Sequence, residues 1–420
     1  MSINPYKDFN FITPNYLPIL QRRAKLFSEL KTDKTLLQSY TIHYKTNPVD
    51  FIQDWLMTYD PRNVGTAIPP HMPFLLFPKQ ADFINWLYEN LLNKEDGLAE
   101  KCRDVGFTWL RVAFSVWAFI FVDGVKIGWG SRKADLVDKK DNPDSIFEKL
   151  RQAISSVPYL FLPRFKVPGT KRVRTFNVKD DSPFMRMINH KTGASITGEG
   201  GDNIGRGGRS TMYFLDETDY VENLKSTLAA LSQNSDVKIY FSPYAGTGEF
   251  YRMRNSGHYK VFTFRWTDDP RKTQEWFDKE KAKTDPTIFA REVEMNAQAS
   301  VSNLFIPTMW INAAIDFVKN PSGVKTMGYD VAGGSDDEKI KGDNFAMAVM
   351  QGISLIHIED WKYSDSDTTK DTQKVYFYGK FNNVEYINSD SIGVGAGAFG
   401  EFNRLKKVEN DIYSKRVVIK

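Results

Sequence analysis

Apolar residues follow two different spacings between residue 79 and about residue 265. Helical spacing occurs at 79–92 and 145–157, and short apolar runs rich in β-branched and aromatic residues occur at 125–130, 211–217 and 237–242. Helices that alternate with short apolar strands predict an α/β fold with a mostly parallel sheet. The runs at 211–217 and 237–242 predict central strands of that sheet.

A second pattern begins after the turn residues "NPSG" (320–323). Strands are predicted at 324–334, 344–352, 354–363 and 384–390, with a helix at about 368–381. A chain of 420 residues exceeds what one core holds, since single cores stop growing near roughly 250–300 residues. We therefore divide the chain into a helical or irregular N-terminal extension (1–70), a first α/β domain (71–300), a linker (301–323) and a second α/β domain (324–420).

Composition excludes several classes of protein and of site. The most apolar run, "VAFSVWAFIFV" (112–122), has 11 residues, whereas a membrane span needs about 20, so it predicts a helix buried on all sides. The N-terminal residues lack the basic-then-apolar pattern of an export signal. Cys102 is the only cysteine, which excludes intrachain disulfides and cysteine-based zinc sites and favours the cytoplasm. The formal net charge is only +4, so attraction to nucleic acid must be local.

A candidate phosphate-binding loop precedes the apolar run. "KCRDVGFTWL" (101–110) has Gly106 at the turn, Thr108 as the hydroxyl, and two cations, Lys101 and Arg103. In the usual loop the lysine follows the last glycine, whereas here it stands in front. Taken alone, this pattern is also that of an ordinary strand–loop–helix junction.

Two further segments have residue types that ATP hydrolysis requires. The strand 211–217 ends in Asp216 and Glu217; the first acid at such a position holds Mg²⁺ through water, and the next orients the attacking water. Gln80 begins the helix at 79–92, and its amide can satisfy both edges of adenine. The structural alternatives are acids that meet solvent at a strand end and a surface glutamine at a helix start.

A loop after the strand 237–242 is the third such segment. The stretch "SPYAGTG" is suited to sense the γ-phosphate and to couple hydrolysis to movement. The residues predicted for this coupling role are Ser242, Pro243, Gly246 and Gly248.

Two aspartates in the second domain predict a metal site. Asp330 ends a strand before small residues, and Asp390 ends another strand before a glycine-rich turn. Two-metal cleavage of a phosphodiester needs carboxylates that converge on ions about 3.5–4 Å apart. Turn chemistry is the ordinary alternative for either aspartate alone.

The stretch "PRFKVPGTKRVRTFNVK" (163–179) has six basic residues and no acid. If it contacts duplex DNA, the slope of log affinity against log salt should be about −0.9 per neutralised phosphate. Nothing in it suggests base reading, so binding should not depend on sequence. A solvated loop or hairpin is the alternative. The predicted contacts are Arg164, Lys166, Lys171, Arg172 and Arg174.

The order of these motifs resembles that of the large terminase subunits of tailed bacteriophages, which package and cut DNA. A glutamine motif, a lysine-first loop, a strand ending in Asp-Glu and a Ser-Pro-x-x-Gly-x-Gly loop occur in this order within about 73–397, and "GRGGR" (205–209) precedes the Asp-Glu strand. The resemblance implies a P-loop (RecA/ASCE-like) ATPase domain followed by an RNase H-like nuclease domain.

The resemblance also implies roles for the motif residues. Lys101 and Arg103 would bind the phosphates of ATP, with Arg103 acting in catalysis. Thr108 and Asp216 would hold Mg²⁺, and Glu217 would activate water. The arginine acting on a neighbouring subunit would be Arg206 or Arg209. In the second domain, Asp330 and Asp390 would hold Mg²⁺ or Mn²⁺.

The partners implied by the resemblance are double-stranded DNA, a portal protein and a small terminase subunit. The chain would work as a ring, of five subunits, on a procapsid in the cytoplasm of the host bacterium, with no membrane contact. A third nuclease acid normally comes from a helix well beyond the second, but here the sequence stops at "SKRVVIK" (414–420). Asp337 and Asp343 are weak substitutes. We therefore expect a truncated nuclease domain that cuts weakly or not at all; robust Mn²⁺-dependent nicking by Asp330→Ala would contradict the assignment.

Two other functions fit the same residues. The first is a helicase-like ATPase with an RNase H-like domain, which would separate strands rather than package duplex DNA. The second is a non-catalytic DNA-binding or capsid-vertex protein with degenerate sites, in which Glu217→Ala would cause no loss of function.

Overall fold

The computed structural model describes residues 6, 8–167, 169–243, 248–296, 314–315, 320–332, 344–361, 368–390, 392 and 395–420. The chain forms two compact units, Met1–Met309 and Trp310–Lys420, and each has its own sheet and core. Among the helices in these ranges, none is long and apolar enough to cross a membrane.

The first unit alternates strands and helices. Its strands are β1 Met57–Tyr59, β2 His71–Pro73, β3 Gly97–Lys101, β4 Lys126–Ser131, β5 Arg164–Lys166, β6 Val173–Thr175, β7 Arg186–Ile188, β8 Ser195–Gly200, β9 Ser210–Leu215, β10 Ser235–Pro243 and β11 Lys260–Phe264. Its α-helices are α1 Leu17–Thr32, α2 Lys34–Thr46, α3 Pro48–Trp55, α4 Pro78–Asn93, α5 Phe107–Phe121, α6 Ala134–Val137, α7 Ile146–Ser155, α8 Val178–Asp181, α9 Leu224–Asn234, α10 Glu249–Asn255, α11 Gln274–Lys283 and α12 Pro286–Phe289. Short 3-10 turns lie at Pro61–Asn63, Gly201–Asn203, Thr218–Tyr220 and Trp266–Asp268, and a π-helical turn lies at Ala290–Glu294.

The central sheet has the strand order β11-β3-β10-β9-β4-β8-β7. Its neighbouring strands are parallel, except that the edge strand β7 runs antiparallel to β8. The predicted mostly parallel α/β sheet is therefore confirmed, and the two strands predicted as central, β9 and β10, lie side by side within it. The strands β1–β2 and β5–β6 form two separate antiparallel pairs.

Helix α5 lies inside the core of the first unit. Of its 15 residues, 12 are buried, which confirms the helix predicted to be buried on all sides. Trp117 on α5 donates a hydrogen bond from Nε1 to the carbonyl oxygen of Tyr44 at 2.7 Å, and Phe51 and Trp55 belong to the same apolar cluster. The helices of the N-terminal extension thus cover α5, whose first turn follows the candidate phosphate loop.

The second unit contains β12 Lys325–Asp330, β13 Phe345–Gln351, β14 Ser354–Trp361, α13 Thr369–Phe381, β15 Tyr386–Ser389, α14 Gly395–Glu409, α15 Ile412–Arg416 and β16 Val418–Ile419. Its sheet has the order β14-β13-β12-β15-β16, antiparallel at β14-β13-β12 and parallel at β12-β15-β16. The predicted sequence of three strands, a helix and a strand is confirmed.

The glycine-rich turn predicted after Asp390 is in part helical. Gly395 begins α14, and a Cβ atom on it would lie 2.2 Å from the carbonyl oxygen of Asp390. Only glycine fits at this position, because any side chain would collide with the backbone at the end of β15.

Candidate nucleotide and metal sites

Four adjacent parallel strands of the first unit end at one edge of the sheet. In spatial order these are β3, β10, β9 and β4, so one strand separates the strand before the phosphate loop from the strand before Asp216. Lys101 ends β3, Ser242 lies at the end of β10, and Arg132 follows β4. Ligands of open α/β sheets bind outside the carboxyl ends of the strands. The topology thus brings Lys101, Asp216 and Ser242 to the edge where such a ligand is expected.

The loop 102–106 turns sharply into α5. Asp104 and Gly106 adopt left-handed backbone conformations, with φ values of 60° and 76°. The amides of Cys102 and Arg103 are bound, to the carbonyl oxygens of Phe264 (2.9 Å) and Glu292 (2.7 Å). The first-turn amides of α5 have no intrahelical acceptor, and such amides bind anions. The amides free to bind an anion are therefore those at the start of α5 rather than those at the front of the loop.

A cavity of about 580 Å³ lies on this loop. Four of the six predicted ATP-binding residues, Gln80, Lys101, Gly106 and Thr108, line it, whereas Asp216 is not among the described residues that do. Its volume lies within the range of about 300–1,000 Å³ typical of small-molecule sites. Arg103 is exposed and is not among the described residues that line the cavity. Lys101 therefore faces the candidate phosphate site, and Arg103 does not.

Gln80 is buried, with 4% of its surface exposed, so the alternative of a surface glutamine is wrong. Its Nε2 donates to the carbonyl oxygen of Val105 at 3.1 Å, and its Oε1 accepts from the amide of Phe77 at 3.4 Å. The side chain ties the phosphate loop to the start of α4. The predicted adenine contact stays a prediction, and the tether is a role that the sequence analysis did not assign.

Asp216 forms an ion pair that the sequence analysis missed. Its Oδ1 accepts from Nη2 of Arg111 on α5 at 2.7 Å; the exposed fractions of the two side chains are 20% and 1%. The Arg111 guanidinium lies over the rings of Phe241, at 3.9 Å, and Trp129, at 5.1 Å. Asp216 therefore does not simply meet solvent. The available signal was a single arginine inside an apolar helix, because a buried charge requires a counter-charge.

Glu217 is held at the surface beside the same site. Its Oε2 accepts from Nε of Arg132 at 2.8 Å, and both side chains are about 40% exposed. Glu217 has a φ of 51°. A non-glycine residue in this region is uncommon and costs about 1–3 kcal/mol, and such residues cluster at functional sites. The carboxylates of Glu217 and Asp216 therefore have different arginine partners, and that of Glu217 is the more exposed of the two.

The Ser242 end of β10 is joined to the turn after Glu217. Ser242 Oγ donates to Oδ2 of Asp219 at 3.3 Å, and the amide of Phe250 donates to Oδ1 at 3.0 Å. Burial raises the pKa of the Asp219 carboxyl group, although these two hydrogen bonds oppose the shift. Gly248 has a φ of 95°, Pro243 ends β10, and Gly246 lies outside the described residues. Asp219 is thus a link between the acidic turn and the predicted coupling loop.

In the second unit, Asp330 and Asp390 lie at neighbouring strand ends. Tyr329 and Ser389 are the last paired residues of the parallel strands β12 and β15, and the two aspartates follow them by one position. Neighbouring strands are about 4.8 Å apart, so the backbone brings the two aspartates to one edge of the sheet. Oδ1 of Asp390 accepts from the amide of Ile392 at 3.0 Å, which is the turn chemistry that was the alternative for this residue. Asp337 and Asp343 lie outside the described residues. Among the residues that are described, no group of three or more His, Cys, Asp or Glu side chains could hold a metal.

No protein-family model and no curated protein matches the chain. Solved structures do match. The large terminase of bacteriophage HK97 is 13% identical, with 89% of this chain and 90% of that chain covered and a TM-score of 0.45. The large terminase of a thermophilic bacteriophage is 10% identical, with 82% and 87% covered and a TM-score of 0.38. The large terminase ATPase domain of Thermus phage P74-26 is 15% identical, with 49% and 88% covered and a TM-score of 0.35.

These solved structures are phage large terminases. They belong to the family that the order of motifs resembles. At these identities and TM-scores the likeness carries no assignment of residues, which depends on the geometry of the chain itself.

The two candidates for the arginine acting on a neighbouring subunit lie between β8 and β9. Arg206 Nη2 donates to Oγ of Ser226 at 3.0 Å, and Arg209 is exposed. Glu199 accepts from the amides of Gly205 and Gly207, which shapes this segment. Neither arginine is among the described residues that line the cavity.

The basic stretch at 163–179 forms the hairpin β5–β6. Four of its predicted DNA contacts are exposed, namely Arg164, Lys166, Lys171 and Arg172. Arg174 instead forms a two-bond ion pair with buried Asp181 and lies over Phe165. Arg174 therefore stabilises the base of the hairpin, and the other four remain available to contact phosphates.

Proposed function

We propose that the first unit binds and hydrolyses ATP and that the chain is the large, motor subunit of a phage DNA-packaging machine. The observation that supports this proposal is the set of groups at one edge of the central sheet. A cavity lined by Lys101, Gly106 and Thr108 lies at it, and the acidic pair 216–217 follows a strand two places away. One strand between the phosphate loop and the acidic strand is the order expected of the RecA/ASCE-like fold.

The donor set fits Mg²⁺. Magnesium prefers oxygen ligands and keeps several waters, and Thr108 and Asp216 supply a hydroxyl and a carboxylate. Arg111 occupies Oδ1 of Asp216, which leaves Oδ2 for a metal-bound water. When bound, the ion would neutralise charge on the β- and γ-phosphates.

The protein's own residues supply the remaining steps. Lys101 and the first-turn amides of α5 orient the phosphates. Glu217 accepts a proton from, or orients, the attacking water once its carboxylate leaves Arg132. Asp219 passes the resulting shift to the coupling loop through Ser242, since the two side chains are hydrogen-bonded.

The second unit would cut the DNA that the first unit moves. Asp330 and Asp390 are the proposed ligands of Mg²⁺ or Mn²⁺ in an RNase H-like domain, and the exposed arginines and lysines of the β5–β6 hairpin would contact duplex phosphates. The motif order extends the proposal to a portal protein, a small terminase subunit and a ring of five subunits on a procapsid in the host cytoplasm.

The proposal is tested by ATP hydrolysis and triplex displacement on linear duplex DNA. We expect hydrolysis that duplex DNA stimulates, and displacement of a third strand while the duplex stays paired. A forked substrate with a labelled strand is the control. Strand separation on the fork would favour the helicase-like alternative, and absence of any hydrolysis would favour a non-catalytic DNA-binding or capsid-vertex protein.

A further inference from the structure

The cations that line the candidate nucleotide cavity fall into two classes. Arg62 pairs with Asp60 at 2.8 Å, and Arg271 pairs with Asp269 at 2.7 Å. The other two are Lys101 and Lys149, which have no carboxylate within 4 Å among the described residues. Unpaired cations in a cavity are an electrostatic site for an anion, because their charge is not balanced locally.

Lys149 lies on α7, far from the phosphate loop in sequence. It is half-buried, and its ammonium group donates a hydrogen bond to the carbonyl oxygen of Asp144. Burial lowers the pKa of Lys149, Asp144 and Asp216 raise it, and Arg111 lowers it. The ammonium group therefore lies within electrostatic range of the Asp216–Arg111 pair.

Helix α7 is held firmly, which keeps Lys149 in place. Arg151, two residues further on, donates from Nη2 to Oδ2 of buried Asp138 at 2.7 Å and from Nη1 to Glu148 at 3.2 Å. Asp138 also accepts from the amide of Met185 at 2.6 Å. Lysine has three N–H donors, so the bond to Asp144 leaves two for a ligand.

The phosphate loop lacks the cation that the usual loop has after its last glycine. Phe107 occupies that position, is buried, and stacks on Phe83 with ring centroids 4.4 Å apart. A triphosphate carries three to four negative charges, so Lys101 alone leaves most of them unbalanced. Mg²⁺ would balance part of this charge, and among the described residues that line the cavity the other cation without a carboxylate partner is Lys149.

We propose that Lys149 is this second cation and that it binds a phosphate oxygen of the nucleotide from α7. The inference rests on the proposed function of the first unit. It assigns to α7 a binding role that neither the loop pattern nor the acidic pair indicates. It also leaves the exposed Arg103 outside the set of groups that contact the phosphates.

The test measures the affinity of the full chain for ATP, ADP and AMP by calorimetry, in the presence of EDTA. We expect Lys149→Met to weaken ATP binding about tenfold or more, ADP binding less, and AMP binding by less than about twofold, since the lost contact is a hydrogen bond between a charged donor and a charged phosphate oxygen. Lys149→Arg should restore part of the loss. Lys140→Met, which removes an exposed lysine of the preceding loop, is the matched control and should bind ATP as the wild type does.

Two results would overturn the inference while the proposed function stands. One is an ATP affinity of Lys149→Met within twofold of the wild type, when Lys101→Met weakens it. The other is an equal loss for ATP and AMP, which would show damage to the cavity rather than to a phosphate contact. If Lys149→Met melts early, Lys149→Gln replaces it, and failure of both to fold would show a structural role instead. Absence of ATP binding by the wild type would overturn the proposed function itself.

Discussion

Asp216→Ala is expected to destabilise the first unit by about 3–5 kcal/mol and to abolish ATP hydrolysis. The substitution leaves the buried Arg111 guanidinium without its carboxylate, and breaking a buried ion pair by removing one partner has a cost of this size. The aromatic rings of Phe241 and Trp129 enclose that guanidinium and cannot replace the lost charge. Urea unfolding followed by tryptophan fluorescence measures the loss.

The double variant Arg111→Met/Asp216→Ala separates stability from chemistry. Replacing a buried pair by apolar groups of similar volume is often neutral, so we expect most of the stability to return while hydrolysis stays absent. Asp135→Ala is the control, because Asp135 pairs with Lys139 at the surface, where such pairs contribute about 0–1 kcal/mol. A single Asp216→Ala variant as stable as this control would show that Arg111 does not depend on Asp216.

Glu217→Gln is expected to lower the rate of ATP hydrolysis by about 10²–10⁴-fold, the usual contribution of a general base. ATP binding should change by less than twofold, because Glu217 is not among the described residues that line the cavity. Stability should change by less than about 1 kcal/mol, since the pair with Arg132 is exposed. A coupled ATPase assay and calorimetric ATP binding give the two numbers.

Glu222→Gln provides the matched control, because Glu222 is an exposed acid only five positions further along the chain. It should hydrolyse ATP at the wild-type rate. Hydrolysis by Glu217→Gln at more than about a tenth of the wild-type rate would contradict the role proposed for Glu217. Asp219, which is hydrogen-bonded to Ser242, would then be the next acid to test.

Much of the local structure could be predicted from spacing. Periodic apolar residues predicted α4 and α7, because burial of one face of a helix leaves a period in the sequence. A continuous apolar run predicted the buried α5, and short apolar runs predicted β4, β9 and β10. In the second unit, the strands and helix α13 were likewise predicted from the apolar pattern of the sequence. The start of α14 was not, since the sequence analysis assigned its glycines to a turn, whereas Gly395 begins a helix whose backbone lies against that of Asp390.

The candidate site was predictable only in part. Gly106, Thr108 and Lys101 form a pattern within eight residues and could be identified together. Arg111 and Asp216 are 105 residues apart, and Arg132 and Glu217 are 85 apart. No sequence period relates such residues, because they meet only when β4, β9 and α5 become neighbours.

The amino-acid sequence was enough to establish the α/β class, the buried helix after the phosphate loop and the residue types at each strand end, since all of these are local patterns of burial and turn chemistry. Only the tertiary structure decided which charges are paired. In it, Arg111 forms an ion pair with Asp216 and Arg174 forms one with Asp181, whereas Lys101 and Lys149 line one cavity without a carboxylate partner among the described residues. The physical reason is that the partner of a charged residue depends on strand order and on exclusion of water. The spacing of residues along the chain determines neither.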